Sequence, residues 1–383
     1  MLIPNYSLLI AIQTLFFLSV GARLLESPPE KPPVARRALF IFGDSTVDIG
    51  NNNYIETVPG NRADYPPYGR NGFFDGPTGR FSDGRVIVDF FAEYARLPTI
   101  PPFMQPCIQL HDGVNFASGG AGVLPETNEG KAIDLHKQLN NFKAVQRALS
   151  KELGNAKAKD LIQNSVCFFS IGSNDYMGGY LGSPVMRNAF SPEEFVAMVL
   201  GNLTQAIQTI YEMGGKRFGF LSLPPLGCLP GTRLANSNNT VGGGCLEKAS
   251  MLAMAHNNAL STTLTSLAHI LSDFKYANSN FYEWLQDRIR SPSEYGFDES
   301  LSACCGTGPY RGLFTCGKAK HYELCETSDA YVWWDSYHFT ERIDEQFARE
   351  LWNGSSVGPF SMEELFFSDG GKEITMDGII GDA

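Results

Sequence analysis

Five short apolar runs, at residues 38–42, 113–116, 166–171, 217–223 and 331–334, recur along this 383-residue chain. An apolar run of four to seven residues without polar alternation reads as a strand covered on both faces, the habit of parallel sheets. Around these runs the apolar residues fall at helical spacing, over residues 86–96, 135–149, 192–213, 246–271 and 341–352. In the second of these the stripe is Leu135, Leu139, Phe142 and Val145; the third opens on Ser191-Pro192-Glu193-Glu194, a capping box, and stops at Gly214-Gly215. Strands and helices in alternation predict an α/β fold, a three-layer α/β/α sandwich with a mostly parallel central sheet that binds ligands beyond the carboxyl ends of its strands. With 43% hydrophobic residues the chain can fill such a core, and residues 38–360 read as one domain.

The first run leads directly into chemistry. "ALFIFGDSTVDIGNNNY" (residues 38–54) places Ser45 just past the end of a strand, where such a sheet presents its reactive groups. A hydroxyl is a weak nucleophile until a base takes its proton and a third group fixes the tautomer of that base. The chain has six histidines. His136, His256 and His269 fall in helical patterns, His111 precedes a strand, and His321 sits among cysteines. His338 differs, because Asp335 closes an apolar run three residues before it and one tight turn can pair the two. The competing reading makes Asp335 a cap for the helix over 341–352 and His338 its exposed neighbour.

Acyl chemistry also requires donors for an oxyanion. "NFASGGAG", after the second run, offers close backbone approach at Gly119 and Gly120, and "SIGSNDY", after the third, offers the side-chain amide of Asn174. Gly354-Ser355-Ser356-Val357-Gly358 matches the G-x-S-x-G pattern of a nucleophile elbow but follows a helix and has no later histidine, so Ser356 reads as a loop residue.

Charge and targeting signals narrow the setting. A net charge of −11, with no basic run longer than Arg36-Arg37, argues against a nucleic-acid partner. "SLLIAIQTLFFLSV" (residues 7–20) followed by Val20-Gly21-Ala22 reads as a secretory signal over residues 1–22, cleaved after Ala22, with an uncleaved anchor as the alternative. A Pro-rich lead-in over 23–37 and a tail over 361–383 flank the domain, and the expected product is secreted, with no stable membrane span after cleavage. The eight cysteines, Cys107, Cys167, Cys228, Cys245, Cys304, Cys305, Cys316 and Cys325, suit disulfides in an oxidising compartment, although spacing does not fix their pairing. The alternative is a zinc site from Cys304, Cys305, Cys316, Cys325 and His321, whose spacing fits no common zinc pattern. Acceptor triplets at Asn202, Asn238 and Asn353 predict glycosylation on surface loops.

Taken together, Gly43-Asp44-Ser45, the paired glycines of "NFASGGAG", "GSND" at residues 172–175 and Asp335-x-x-His338 resemble the blocks of the GDSL lipase/esterase family, the SGNH hydrolases. "PTGRFSDGRVIVDF", "LPPLGCLP", "ACCGTGPY" and "DSYHFTE" are similar to the plant branch of that family, and the resemblance runs from Ala38 to about Trp352. One departure is Thr46, where the family name expects Leu. The resemblance implies Ser45 as nucleophile, His338 as base and then acid, and Asp335 as its orienter. It implies an oxyanion hole built from the backbone N–H of Ser45, that of Gly120, and Asn174. The implied reaction is hydrolysis of a small-molecule or lipid ester through an acyl-Ser45 intermediate, without metal or organic cofactor; the alternative is an acyltransferase that passes the acyl group to an alcohol. Between first strand and first helix, Tyr54, Tyr65, Pro66, Pro67, Tyr68, Phe73, Phe74 and Phe81 read either as an acyl-binding wall over Ser45 or as a rigid packed loop.

Overall fold

The strand Leu39–Gly43 (β1) is buried along its whole length, and the layers form around it. In this computed structural model the described residues are 37–236, 244–354 and 357–368. The expected signal sequence, nearly all of the lead-in, Asn238, Ser355, Ser356 and the tail beyond residue 368 lie outside them. The other strands are β2 (Gly113–Asn115), β3 (Val166–Ser170), β4 (Arg217–Leu221), β5 (Lys275–Ser279), β6 (Glu299–Ala303), β7 (Cys305–Gly306), β8 (Glu323–Leu324), β9 (Tyr331–Trp333) and β10 (Val357–Pro359). A six-stranded sheet takes the order β10-β5-β4-β3-β1-β2, parallel throughout except for the antiparallel edge strand β10.

Alternation along β1 and β3 shows why helices cover both faces. Phe40 and Phe42 point to one face and meet Phe142 of the helix Leu135–Leu153, with ring centroids 5.1 and 5.6 Å apart. Phe168 is in register with Ile41, which points the other way, and it meets Phe91 of the helix Ile87–Tyr94 at 5.0 Å. Burial on both faces explains the uninterrupted apolar runs. Leu135–Leu153 is started by Asp134, whose carboxylate accepts from Lys137 N–H, and the expected capping box opens Pro192–Glu212, with Ser191 and Glu194 bonding reciprocally. The helices Glu247–Ile270 and Glu341–Asn353 also stand where periodicity places them. Among the described residues no helix is long and apolar enough to cross a membrane.

Two strand assignments need correction. The run over 331–334 lies outside the central sheet: β9 pairs in parallel with β6, and Trp333 Nε1 donates to Ser300 O at 2.7 Å. The fifth parallel strand is instead β5, "KYANS", whose polar sequence carries no apolar run. The four crowded cysteines do not form a zinc site, since they are joined as Cys304–Cys325 and Cys305–Cys316, and Cys228 pairs with Cys245. Cys107 and Cys167 remain as thiols, the latter buried in β3. The paired cysteines of the 304–325 loop form a second small core with Ala63, Tyr68, Phe81 and Trp334. This core packs the disulfide loop against the long aromatic connection.

Candidate active site

β1 lies between β2 and β3, so the chain leaves it toward one side and later returns on the other; that switch point is where ligands bind in sheets of this kind. Ser45 follows β1 there. Gly43 is required by close approach, because a Cβ would stand 2.4 Å from Ser170 O and 2.5 Å from Val47 Cγ2. Buried Gln138 grips the same residue, accepting from Gly43 N–H at 2.9 Å and donating to Gly43 O at 2.8 Å. Beyond it, Asp44 O accepts from Asp48 N–H, and the Asp44 carboxylate accepts from Thr46 N–H at 3.0 Å. Ser45 is held at the apex of this turn, half-buried.

His338 arrives from a second turn. Trp334 N–H donates to His338 O at 2.8 Å, and Trp333 bridges Phe339, so Asp335 and His338 are folded onto each other. His338 Nδ1 lies 2.8 Å from Asp335 Oδ1 and 2.9 Å from Oδ2, while Nε2 lies 2.8 Å from Ser45 Oγ. The carboxylate assigns the proton to Nδ1, which leaves the Nε2 lone pair facing the serine hydroxyl. Asp335 also accepts from Tyr337 N–H, His338 N–H and the Tyr68 hydroxyl. Burial alone would raise its carboxyl, but His338 and these donors outweigh burial and hold it below the usual range. Asp335 does not cap the helix Glu341–Asn353, which begins after Thr340. Phe81 covers the imidazole, with centroids 4.6 Å apart.

The Gly119-Gly120 loop is fixed by the asparagine-rich turn after Ser45. Asp48 Oδ2 accepts from Gly119 N–H at 2.8 Å, and Asn52 Nδ2 donates to Gly119 O at 2.8 Å. In a trans peptide C=O and N–H point opposite ways, so holding Gly119 O aims Gly120 N–H away from Asn52. Gly120 has φ +84°, the left-handed region that suits glycine. Asn174 Nδ2 donates to Ala121 O at 2.9 Å with one of its two hydrogens, and the residue lines the same cavity as Ser45. Among the described residues, neither Ser45 N–H nor Gly120 N–H donates to a protein acceptor. Ser45, Gly120, Asn174 and His338 line one cavity of about 320 Å³, whose other walls are mostly apolar.

Buried carboxylates brace this edge. Asp175 accepts from Val123 N–H, Leu124 N–H and Thr127 Oγ1, tying the segment after Gly120 to the residue beside Asn174. Burial pushes Asp44, Asp48 and Asp175 up to about 6, against the pull of the N–H groups they hold. Of the remaining histidines, His256 is a buried core residue bonded to Tyr176 Oη, pushed down to about 3 by burial. His321 is exposed in the disulfide loop, away from any metal-ligating cluster among the described residues.

The long aromatic connection is not the wall it could have been. Only Phe81 of its named aromatics lines the cavity. Phe73 and Phe74 stack under the guanidinium groups of Arg85 and Arg80, each 4.2 Å away, and Tyr65 and Tyr68 pack against the disulfide loop. Asn202 lies exposed within the helix Pro192–Glu212 and donates to Met198 O, not on the loop expected of an acceptor, whereas Asn353 is exposed at a helix end. Tyr68 and Gln138 are the site residues whose roles sequence reasoning missed; each bonds across the fold to a partner that no local spacing marks.

A six-stranded, mostly parallel sheet that presents a serine, a histidine and a carboxylate together at its switch point has the SGNH hydrolase fold, and its class is that of ester hydrolases. The sequence matches the family described as GDSL-like Lipase/Acylhydrolase over residues 39–351, and the chain belongs to that family. It is 45% identical over 340 residues to GDSL esterase/lipase 5 of Arabidopsis thaliana, a match spanning 86% of this chain and 87% of the relative. GDSL esterase/lipase 4 of the same plant is 40% identical over 377 residues, 95% of this chain and 99% of its own. A GDSL lipase of Tanacetum cinerariifolium is 40% identical over 331 residues, covering 86% and 87%.

Proposed function

We propose that this enzyme is a secreted serine esterase that cleaves carboxylic esters through an acyl-Ser45 intermediate. The observation that carries this reading is the unbroken chain Ser45 Oγ, His338 Nε2, His338 Nδ1, Asp335, set in one cavity beside the Ser45 and Gly120 N–H groups, which have no protein acceptor among the described residues. His338 Nε2 takes the Ser45 proton as Oγ bonds to the ester carbon. The carbonyl oxygen gathers negative charge, which Ser45 N–H, Gly120 N–H and the Asn174 amide stabilise. The C–O bond to the alcohol then breaks, and the imidazolium returns its proton to the departing oxygen. Water repeats the cycle: it loses a proton to His338, attacks the acyl carbon, and releases the acid and Ser45. Asp335 keeps its charge throughout and stabilises the imidazolium. Three disulfides support passage through an oxidising, secretory compartment.

The test is a fluorophosphonate probe followed by product analysis. Labelling of the wild type and its loss in Ser45→Ala support Ser45 as nucleophile; labelling retained in Ser45→Ala rejects it. Supplying a panel of alcohols with one ester separates the two fates of the acyl group. Free acid alone means hydrolysis, and new esters mean transfer to an alcohol.

A further inference from the structure

Attack by Ser45 gives each substituent of the tetrahedral carbon a fixed neighbour, and these neighbours hold only if Ser45 is the proposed nucleophile. The oxygen that gathers charge faces Gly120 and Asn174. The oxygen that leaves must face His338 Nε2 to receive its proton. The group it carries therefore lies against the side chains beside His338, and the acyl group takes the remaining direction, toward Met177, Leu226 and Leu229.

The side chains beside His338 are aromatic. The Phe314 ring lies 6.0 Å from the imidazole, and Tyr337 meets Phe314 edge to face at 5.3 Å and 76°. Both line the cavity, and Tyr337 is 39% exposed at its mouth. Phe314 is held from behind. It stands on the loop closed by Cys305–Cys316, and Lys318 Nζ sits 3.1 Å from its ring centroid. That ammonium is buried without a hydrogen-bond partner among the described residues, so the ring face is one of its few compensations.

We infer that Phe314 and Tyr337 form the wall for the leaving alcohol, and that the preferred substrates are esters of neutral aromatic alcohols. Two rings set edge to face leave a corner that a third ring completes. The ammonium behind Phe314 disfavours a cationic alcohol such as choline.

The test compares kcat/KM for butyrate esters of benzyl alcohol, cyclohexylmethanol and ethanol, three alcohols of similar acidity. The wild type is expected to favour the benzyl ester over the cyclohexylmethyl ester by about three- to tenfold. Phe314→Leu, which keeps bulk but removes the ring, should collapse that ratio to within about twofold. Tyr337→Leu should do the same if the Phe314 variant fails to fold. With benzyl alcohol constant, acetate, butyrate and hexanoate esters should all show the same factor. A wild type without aromatic preference, an equal loss on all three alcohols, or a loss that follows the acyl chain would overturn the assignment. Hydrolysis retained in Ser45→Ala would instead sink the catalytic reading beneath it.

Discussion

Tyr68 Oη donates to Asp335 Oδ2 at 2.7 Å, joining the long aromatic connection to a carboxylate 267 positions further along the chain. Both residues are buried, and burial first, then the facing carboxylate, holds the Tyr68 phenol well above its ordinary range, so it remains a neutral donor. Tyr68→Phe removes that donor and keeps the ring. A hydrogen bond to a buried charge is worth about 1.5–3 kcal/mol, and urea unfolding should show a loss of that order. The freed Oδ2 lets Asp335 turn within its pocket, so kcat should fall about tenfold with KM little changed. Wild-type kcat in a stably folded variant would show that the backbone N–H groups suffice to hold Asp335.

Substitution of the proposed triad should separate its members. Ser45→Ala or His338→Ala is expected to lower kcat by about 10⁴- to 10⁶-fold, with Asp335→Ala costing less. The double variant Ser45→Ala/His338→Ala should be no slower than either single variant, because the two act as a unit. Steady-state kinetics on a 4-nitrophenyl ester check this, and near-wild-type turnover in any single variant contradicts the role assigned to that residue.

Asn52 offers a subtler test. Its amide holds Gly119 O and Asn61 O, and its Oδ1 accepts from Ser118 Oγ, so it positions the peptide of the proposed Gly120 oxyanion donor. Asn52→Ala should lower kcat by about tenfold to a hundredfold, less than the roughly 10²–10³ expected for deleting a donor, as in Asn174→Ala. KM should barely move, because the interaction develops in the transition state. A rise in KM with unchanged kcat would mean that Asn52 shapes substrate binding instead.

Ser45, His338 and Asp335 were legible as candidates because Ser45 and Asp335 each follow an apolar run and His338 stands only three residues beyond Asp335. The same signal misled at Tyr331: hydrophobicity shows that a strand is covered, not which strand it pairs with, and β9 found β6. β5 escaped notice for the opposite reason, since its Lys275, Asn278 and Ser279 break the apolar pattern while β4 and β10 still supply both ladders. The cysteine pairing and the hydrogen bonds of Tyr68 and Gln138 join segments whose approach depends on the whole fold.

Asp175 makes a prediction about pH whose sign can be fixed. Burial raises its carboxyl from 3.8 to about 6, against the three donors that it holds. The native state therefore binds the proton more tightly than the unfolded chain, so this group's contribution to stability is greatest below about pH 4 and is lost as pH rises toward 6. Asp175→Asn cannot titrate there. The stability margin of wild type over variant should shrink as pH rises from about 4 to 6.5, by up to about 3 kcal/mol. Asp48, raised by the same cause, titrates in both proteins and cancels in the difference; Asp44 is raised chiefly by burial but also by the charge on Asp175, so it cancels only in part and the margin reports the coupled pair. Urea unfolding of the pair at several pH values across this window measures the margin. Parallel curves would show that the donors from Val123, Leu124 and Thr127 offset burial fully, and that Asp175 titrates in the folded enzyme as it does in the unfolded chain.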